Sequence, residues 1–324
     1  MAETTFGRAL TRALDESLAS DPAVIVMGED VGASGGPFKI TRGLFEKYGA
    51  ERVRDTPISE AALVGAAVGA ALTRLRPVVE IMFMDFTTLA MDALVNQAAK
   101  AHFMFGGRCD VPMVLRTPHG GGLNAGPQHS QCLEAWFCHV PGLKVVCPAT
   151  PADAYGLLRS AIADPNPVVF VENKALYAMK GDLPDPAEPL PLGKARTARA
   201  GQDVTVATYG ATVHTAMRAA EALAREGIDV EVLDLRTLQP WDEAAVLASL
   251  RRTHRLVVAH EAVEAFGFGA EIAARMGDVA FDDLDAPIVR VGAPFMPVPF
   301  ARSLEEQYIP SAERIAAAAR RVMQ

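Results

Sequence analysis

Short unbroken apolar runs alternate along this chain with longer stretches in which apolar residues recur every three or four positions. The runs AVIVMGED (23–30), RPVVEIMFMDF (76–86), VPMVLR (111–116), LKVVCPAT (143–150) and PVVFVENK (167–174) have the length and β-branched content of strands buried on both faces. Residues 4–20, the stretch TLAMDALVNQAAKAHFMF (88–105) and the segment from Pro151 to Ala163 carry helical spacing. A second series begins at DVTVATYG (203–210) and continues through IDVEVLDL (228–235), RLVVAHE (255–261) and PIVRVGAP (287–294), again with helical segments between. Strands alternating with helices predict an α/β protein built on parallel sheets covered on both faces. Between the two series, DLPDPAEPLPLG (182–193) is rich in proline, which favours an extended, semi-rigid linker. The pattern predicts two domains, 1–194 and 195–324, with the linker at about 182–194. The length of 324 residues agrees, at about 150 residues per domain.

Composition narrows the class. Half the residues are hydrophobic, 22% are charged and the net charge is −8. No lysine or arginine run marks a nucleic-acid surface. The longest apolar stretch, Ala61 to Leu72, falls short of the roughly 20 residues needed to cross a membrane. The first residues carry acids and no apolar core, so they do not read as a secretory signal. Cys109, Cys132, Cys138 and Cys147 lack metal-ligand spacing and read as reduced thiols. A cytoplasmic enzyme is the expectation.

Candidate chemistry centres on DTPISEAALVGAAVGAAL (55–72). Ser59 stands where an N-cap would, and Glu60 opens a helix composed otherwise of small and apolar residues. A carboxylate there is favoured by the helix dipole and has two readings, an ordinary capped core helix or an acid placed for chemistry. The GAAVGAA face would admit another helix closely, as at a subunit contact. Ligands of open parallel sheets bind at the carboxyl ends of strands, which selects Glu29, Glu60, Phe86, His119, His129 and Glu172. His129, in the glycine-dense loop TPHGGGLNAGPQHSQ (117–131), is suited to proton transfer near neutral pH, or only bonds local carbonyls. Glu80 and Asp85 are a candidate pair. His102 reads as a packing residue on an apolar helix, and the glycines of 31–36 as a mobile connection without a phosphate-loop pattern.

The segments DTPISE, GAAVGAAL, LRPVVEIMFMDF, NQAAK, MFGG, PQHSQ, PGLKVVCPATPADAYGLL, NPVVFVENKALY, EVLDLRTLQPWD and PVPFARSLEEQYIP follow one another across nearly the whole chain. In that order they resemble the β subunits of thiamine-diphosphate-dependent 2-oxo acid dehydrogenases, a family that includes pyruvate, branched-chain and acetoin dehydrogenases. The resemblance implies a parallel-sheet pyrimidine-binding domain of transketolase type, followed by a smaller transketolase C-terminal-type domain. It assigns Glu60 a hydrogen bond to the cofactor's aminopyrimidine, promoting loss of the thiazolium C2 proton. Phe86 would pack on the pyrimidine with Ile58 and Met82 beside it, and His129 would assist proton transfer and acylation of a lipoyl group. SAIADPNP (160–167) resembles a potassium loop, with Ala161, Asp164 and Asn166 as ligands through carbonyls and side chains, although Pro165 replaces the usual polar residue. The diphosphate end of the cofactor is held through Mg²⁺ by a GDG motif, and no GDG occurs in this sequence. The resemblance therefore implies an α subunit supplying the Mg²⁺ and diphosphate half, an α2β2 heterotetramer with a β–β contact, and docking to a lipoyl acyltransferase core. Two rivals are half of a split transketolase or deoxyxylulose-phosphate synthase, and a non-catalytic assembly subunit.

Overall fold

The computed structural model describes residues 2–324. The elements of the first part, in chain order, are β1 (Ala2–Thr5), α1 (Phe6–Ser20), β2 (Val24–Gly28), α2 (Leu44–Tyr48), β3 (Val53–Asp55), α3 (Glu60–Leu72), β4 (Arg76–Glu80), α4 (Ala99–Met104), β5 (Val114–His119), α5 (Glu134–Cys138), β6 (Lys144–Val146), α6 (Pro151–Ala163), β7 (Val168–Asn173) and β8 (Lys180–Leu183). They are followed by β9 (Arg196–Arg199), β10 (Val204–Thr208), α7 (Thr212–Ala224), β11 (Val230–Asp234), β12 (Thr237–Gln239), α8 (Glu243–Thr253), β13 (Leu256–Val263), α9 (Phe268–Val279), β14 (Val289–Ala293), α10 (Arg302–Tyr308) and α11 (Ala312–Val322). The chain forms two compact units. One comprises Met1–His119 with Trp136–Leu192, and the other Gly120–Ala135 with Gly193–Gln324. The glycine-dense loop after β5 thus belongs with the C-terminal part of the chain.

In the first unit the strand order is β6-β7-β5-β4-β2-β3, with every neighbouring pair parallel. The central strands β2, β5 and β7 are buried along their full length, which is why they contain almost no alternation. Helix α1 buries Phe6, Ala9, Leu10, Ala13, Leu14 and Leu18 at helical spacing and packs against α6. Each fully buried leucine contributes about 1.5–3 kcal/mol. Its first turn is capped by Thr5, whose hydroxyl accepts the Arg8 N–H at 3.2 Å. Thr150 caps α6 in the same way, with Pro151 in the first turn. In the second unit the order is β14-β13-β10-β11-β9, parallel except for β9 on β11. Among the described residues no helix is long and apolar enough to cross a membrane.

Several local expectations change. The stretch after β4 is no continuous strand and helix. It leaves the sheet at Glu80, forms a 3-10 turn over Met84–Ala90 and a π segment over Ala93–Ala98, and only then an α-helix. Two hydroxyls explain the tightened first turn, since Thr87 donates to the Met84 carbonyl at 2.5 Å and Thr88 to that of Asp85 at 2.9 Å. The glycines of 31–36 are tethered rather than loose. Gly32 donates its N–H to Asp55 at 2.6 Å, Gly36 to the Asp30 carbonyl at 2.7 Å, and Thr41 bonds the Val31 carbonyl. His102 is half exposed, with Nδ1 on the Cys109 carbonyl at 2.8 Å, and is no packing residue.

Candidate active site

The parallel sheet of the first unit delivers its chemistry at the carboxyl ends of β2, β3 and β4. Glu29 follows β2, and residues 56–59 carry the chain from β3 to Glu60 at the start of α3. Both carboxylates are buried, Glu29 with 5% and Glu60 with 7% of its surface exposed. Glu29 accepts the backbone N–H of Ser59, while its Oε1 has no partner among the described residues. Burial, and then the charge of Glu60, holds the Glu29 carboxyl above the ordinary range. Ser59 takes the N-cap position without capping through its hydroxyl. The start of α3 is fixed instead by its backbone, whose N–H goes to Glu29 and whose carbonyl receives the Leu63 N–H at 2.9 Å.

Ile58, two residues before Glu60, is 81% exposed, and Met82 and Phe86 are half-buried, Phe86 on the turn that packs against α3. A ladder of rings orients Phe86. It meets Phe83 edge-on at 6.1 Å, Phe83 meets Phe38 at 5.8 Å, and Phe38 lies 5.0 Å from Tyr177. On α3 itself Gly65 and Gly69 are exposed, with nothing among the described residues within 4 Å of where a Cβ would stand.

Below the ring ladder lies a buried ion network. The register sets Glu80 beside Arg116 and Pro118 beside Glu172, so β4, β5 and β7 bring two carboxylates and a guanidinium together. Arg116 donates through Nε and Nη2 to Glu172 at 2.7 and 2.9 Å and through Nη1 to Glu80 at 2.7 Å. Tyr177 adds its hydroxyl to Glu172 at 2.8 Å. Burial pulls the guanidinium down, but Glu172 and Glu80 outweigh it, so Arg116 stays cationic. Burial and then the neighbouring Glu172 push Tyr177 well up. Glu80 therefore pairs with Arg116 and not with Asp85, and Glu172 is spent on the same cation. The visible signal for Arg116 was a lone cation in the apolar run VPMVLR, between strands that end in acids.

His129 is half-buried in the second unit, on the loop Gly120–Ala135. Glu60, Ile58, Met82 and Phe86 belong to the first. His119, at the end of β5, is buried, and so is His260, where burial lowers the ring's basicity. In the loop 160–167 the candidate side-chain ligands Asp164 and Asn166 already bond to one another. Asp164 accepts Lys144 Nζ at 2.5 Å and the Asn166 side-chain amide at 3.0 Å, and the carbonyl of Ile162 takes Arg76 at 2.8 Å. The side-chain part of a potassium site thus does not fit, because Lys144 already neutralises the carboxylate. The pyrimidine half of a thiamine site fits better: a buried carboxylate at a helix tip, an unpartnered Glu29 oxygen beside it, and exposed or half-exposed apolar side chains alongside.

Residues 2–180 match the family described as transketolase, pyrimidine binding domain, and residues 193–315 match transketolase, C-terminal domain. The chain is 46% identical over 323 residues to the pyruvate dehydrogenase E1 component subunit beta-2, mitochondrial, of Oryza sativa subsp. japonica, covering 98% of this chain and 86% of that one. It is 47% identical over 325 residues to the acetoin:2,6-dichlorophenolindophenol oxidoreductase subunit beta of Cupriavidus necator, covering 97% and 96%. A solved structure described as a split gene transketolase, inactive beta4 tetramer, superposes with a TM-score of 0.82 at 23% identity, over 98% of this chain and 97% of the other. That last likeness establishes the fold.

Proposed function

The chain belongs to the family of pyruvate and acetoin dehydrogenase E1 β subunits, and from that premise we propose that it supplies the pyrimidine half of a thiamine-diphosphate site in a 2-oxo acid or acetoin dehydrogenase. The observation that carries this reading is Glu60, a buried carboxylate at a helix tip whose neighbour Ile58 is almost fully exposed. Such a surface is half a site, complete only when another chain covers it. An α subunit would bring Mg²⁺ and the diphosphate contacts, in keeping with the missing GDG motif.

In this reading the Glu60 carboxyl would share a hydrogen bond with the pyrimidine ring nitrogen, in a dry surround where a single bond counts for more than in water. Phe86 and Met82 flank the ring, and the aromatic ladder to Tyr177 fixes the angle of Phe86. Glu29 holds its proton to higher pH than an ordinary carboxylate, which limits repulsion between the two acids. Bound thiamine diphosphate supplies the nucleophilic carbon and takes up the electrons released on C–C cleavage. His129 would exchange a proton with the acyl group's next acceptor, a lipoyl group carried by an acyltransferase core. A potassium ion at 160–167 would rest on backbone carbonyls alone, given the engaged side chains. The open face of α3, with Gly65 and Gly69, is a subunit contact in the assembled α2β2 enzyme.

The split-transketolase reading is weaker, because the loop TPHGGGLNAGPQ carries no cation for a sugar phosphate. Co-expression with a matching α subunit tests the proposal. Decarboxylation that requires both chains, Mg²⁺ and thiamine diphosphate is expected. Full activity from this chain alone would overturn it, and an active complex carrying Glu60→Gln would favour the assembly-subunit reading.

A further inference from the structure

The loop that carries His129 is tied to the second unit by buried carboxylates. Glu261, on β13, accepts the N–H of Gly121 at 2.5 Å. Glu305, on α10, accepts both the backbone N–H of Asn124 at 3.1 Å and its side-chain amide at 2.9 Å. Glu134, at the far end of the loop, takes the hydroxyl of Tyr209 at 2.7 Å. Glu261 is 7% exposed and Glu305 2%, so each charge is held out of water against a substantial desolvation cost. Charge-assisted bonds to backbone N–H groups are the strong kind, and here they fix backbone position on the N-terminal side of the histidine.

The glycines are part of the same device. A Cβ on Gly121 would lie 2.9 Å from Ile309 Cδ1 and 3.2 Å from Glu305 Oε1, so a larger residue here would push on the side chains that meet the loop. Gly126 (φ +75°) lies under the Phe300 ring, where a Cβ would fall 2.2 Å from a ring carbon. The His129 N–H then closes back on the Gly126 carbonyl at 3.4 Å. The histidine thus follows directly on a backbone path fixed by Glu261, Glu305 and Phe300, all from the C-terminal part of the chain.

We propose that Glu305 and Glu261 are positioning residues that hold the 120–131 loop so that His129 is presented for acyl transfer. The proposal rests on the reading of His129 given above. The test uses the reconstituted α/β enzyme with Glu305→Ala, Asn124→Gly as a milder variant that keeps the carboxylate, and His129→Ala in parallel. Three quantities are measured: hydrogen exchange of the 120–131 backbone, dye-coupled decarboxylation with dichlorophenolindophenol, and acylation of an isolated lipoyl domain across pH. Glu305→Ala is expected to raise exchange in the loop and to slow lipoyl acylation roughly 10–100-fold, with a much smaller change in the dye-coupled rate. The limb of the pH profile lost in His129→Ala should shift, and Asn124→Gly should show the same pattern to a lesser degree. Unchanged loop exchange, or an equal fall of both rates with an unshifted pH profile, overturns the proposal. If His129→Ala itself leaves lipoyl acylation intact, the reading of His129 fails while the exchange data still decide whether the carboxylates hold the loop.

Discussion

Replacing Arg116 by Met keeps most of the side-chain volume but removes the cation from between Glu80 and Glu172. The guanidinium is 1% exposed and makes three hydrogen bonds to the two carboxylates, at 2.7, 2.9 and 2.7 Å. Bonds to charged groups contribute about 1.5–3 kcal/mol each. Their sum overstates the loss, because the pair relaxes by taking up a proton, and breaking a buried ion pair from one side costs about 3–5 kcal/mol. The same reasoning fixes the pH dependence. Burial already holds the Glu80 carboxyl above the ordinary range, and losing Arg116 removes the charge that draws it back down, so the added destabilisation is absent in acid and grows as the pH rises toward neutrality. Urea unfolding followed by fluorescence can isolate the first unit, since Trp136 lies there and Trp241 in the second, and a Trp241→Phe background silences the latter. The expected loss is about 3–5 kcal/mol at neutral pH, smaller near pH 5, and largely restored when Glu80→Gln and Glu172→Gln are added. A loss below about 1 kcal/mol, or one that does not vary with pH, would refute the claim that the network is a buried charge balance.

Other consequences are equally direct. Glu29 is raised from 4.5, so its ionisation costs stability that is absent below that pH and is felt as pH rises through the folded value. Glu29→Gln should therefore raise the Tm at neutral pH, with the gain vanishing in acid, and calorimetry across pH checks it. Gly142→Ala would put a Cβ 2.0 Å from the Ala99 carbonyl oxygen at φ +101° and should cost more than about 3 kcal/mol in urea unfolding. Gly227→Ala, at φ +83° with nothing within 4 Å, should cost only about 1 kcal/mol. Gly65→Leu, on the open face of α3, should leave the isolated chain's Tm unchanged but weaken assembly with the α subunit in sedimentation, and intact assembly would remove that face from the interface.

The buried parallel strands were legible because burial on both faces suppresses polar alternation, and α1 because its apolar stripe is wide. The segment after β4 was not. Its apolar residues fit a helical period, yet the Thr87 and Thr88 hydroxyls compete for backbone carbonyls and tighten the turn. Glu60 could be singled out as a lone acid on a greasy helix, but the role of Glu80 could not, since its partner Arg116 lies one strand away and only register brings them together. The grip on the His129 loop was hidden for the same reason. Asn124 and Glu305 are far apart in sequence, and glycine density alone looks the same whether it loosens a loop or lets it approach a carboxylate.

We propose Glu60 as the acid through which this chain activates bound thiamine diphosphate. Its most direct test is deuterium exchange at the thiazolium C2 of the cofactor in the reconstituted α/β enzyme, comparing Glu60 with Glu60→Gln. Exchange is expected to slow by at least about 10²-fold in the Glu60→Gln enzyme while cofactor binding and assembly persist. Exchange at the unaltered rate in the Glu60→Gln enzyme would contradict it.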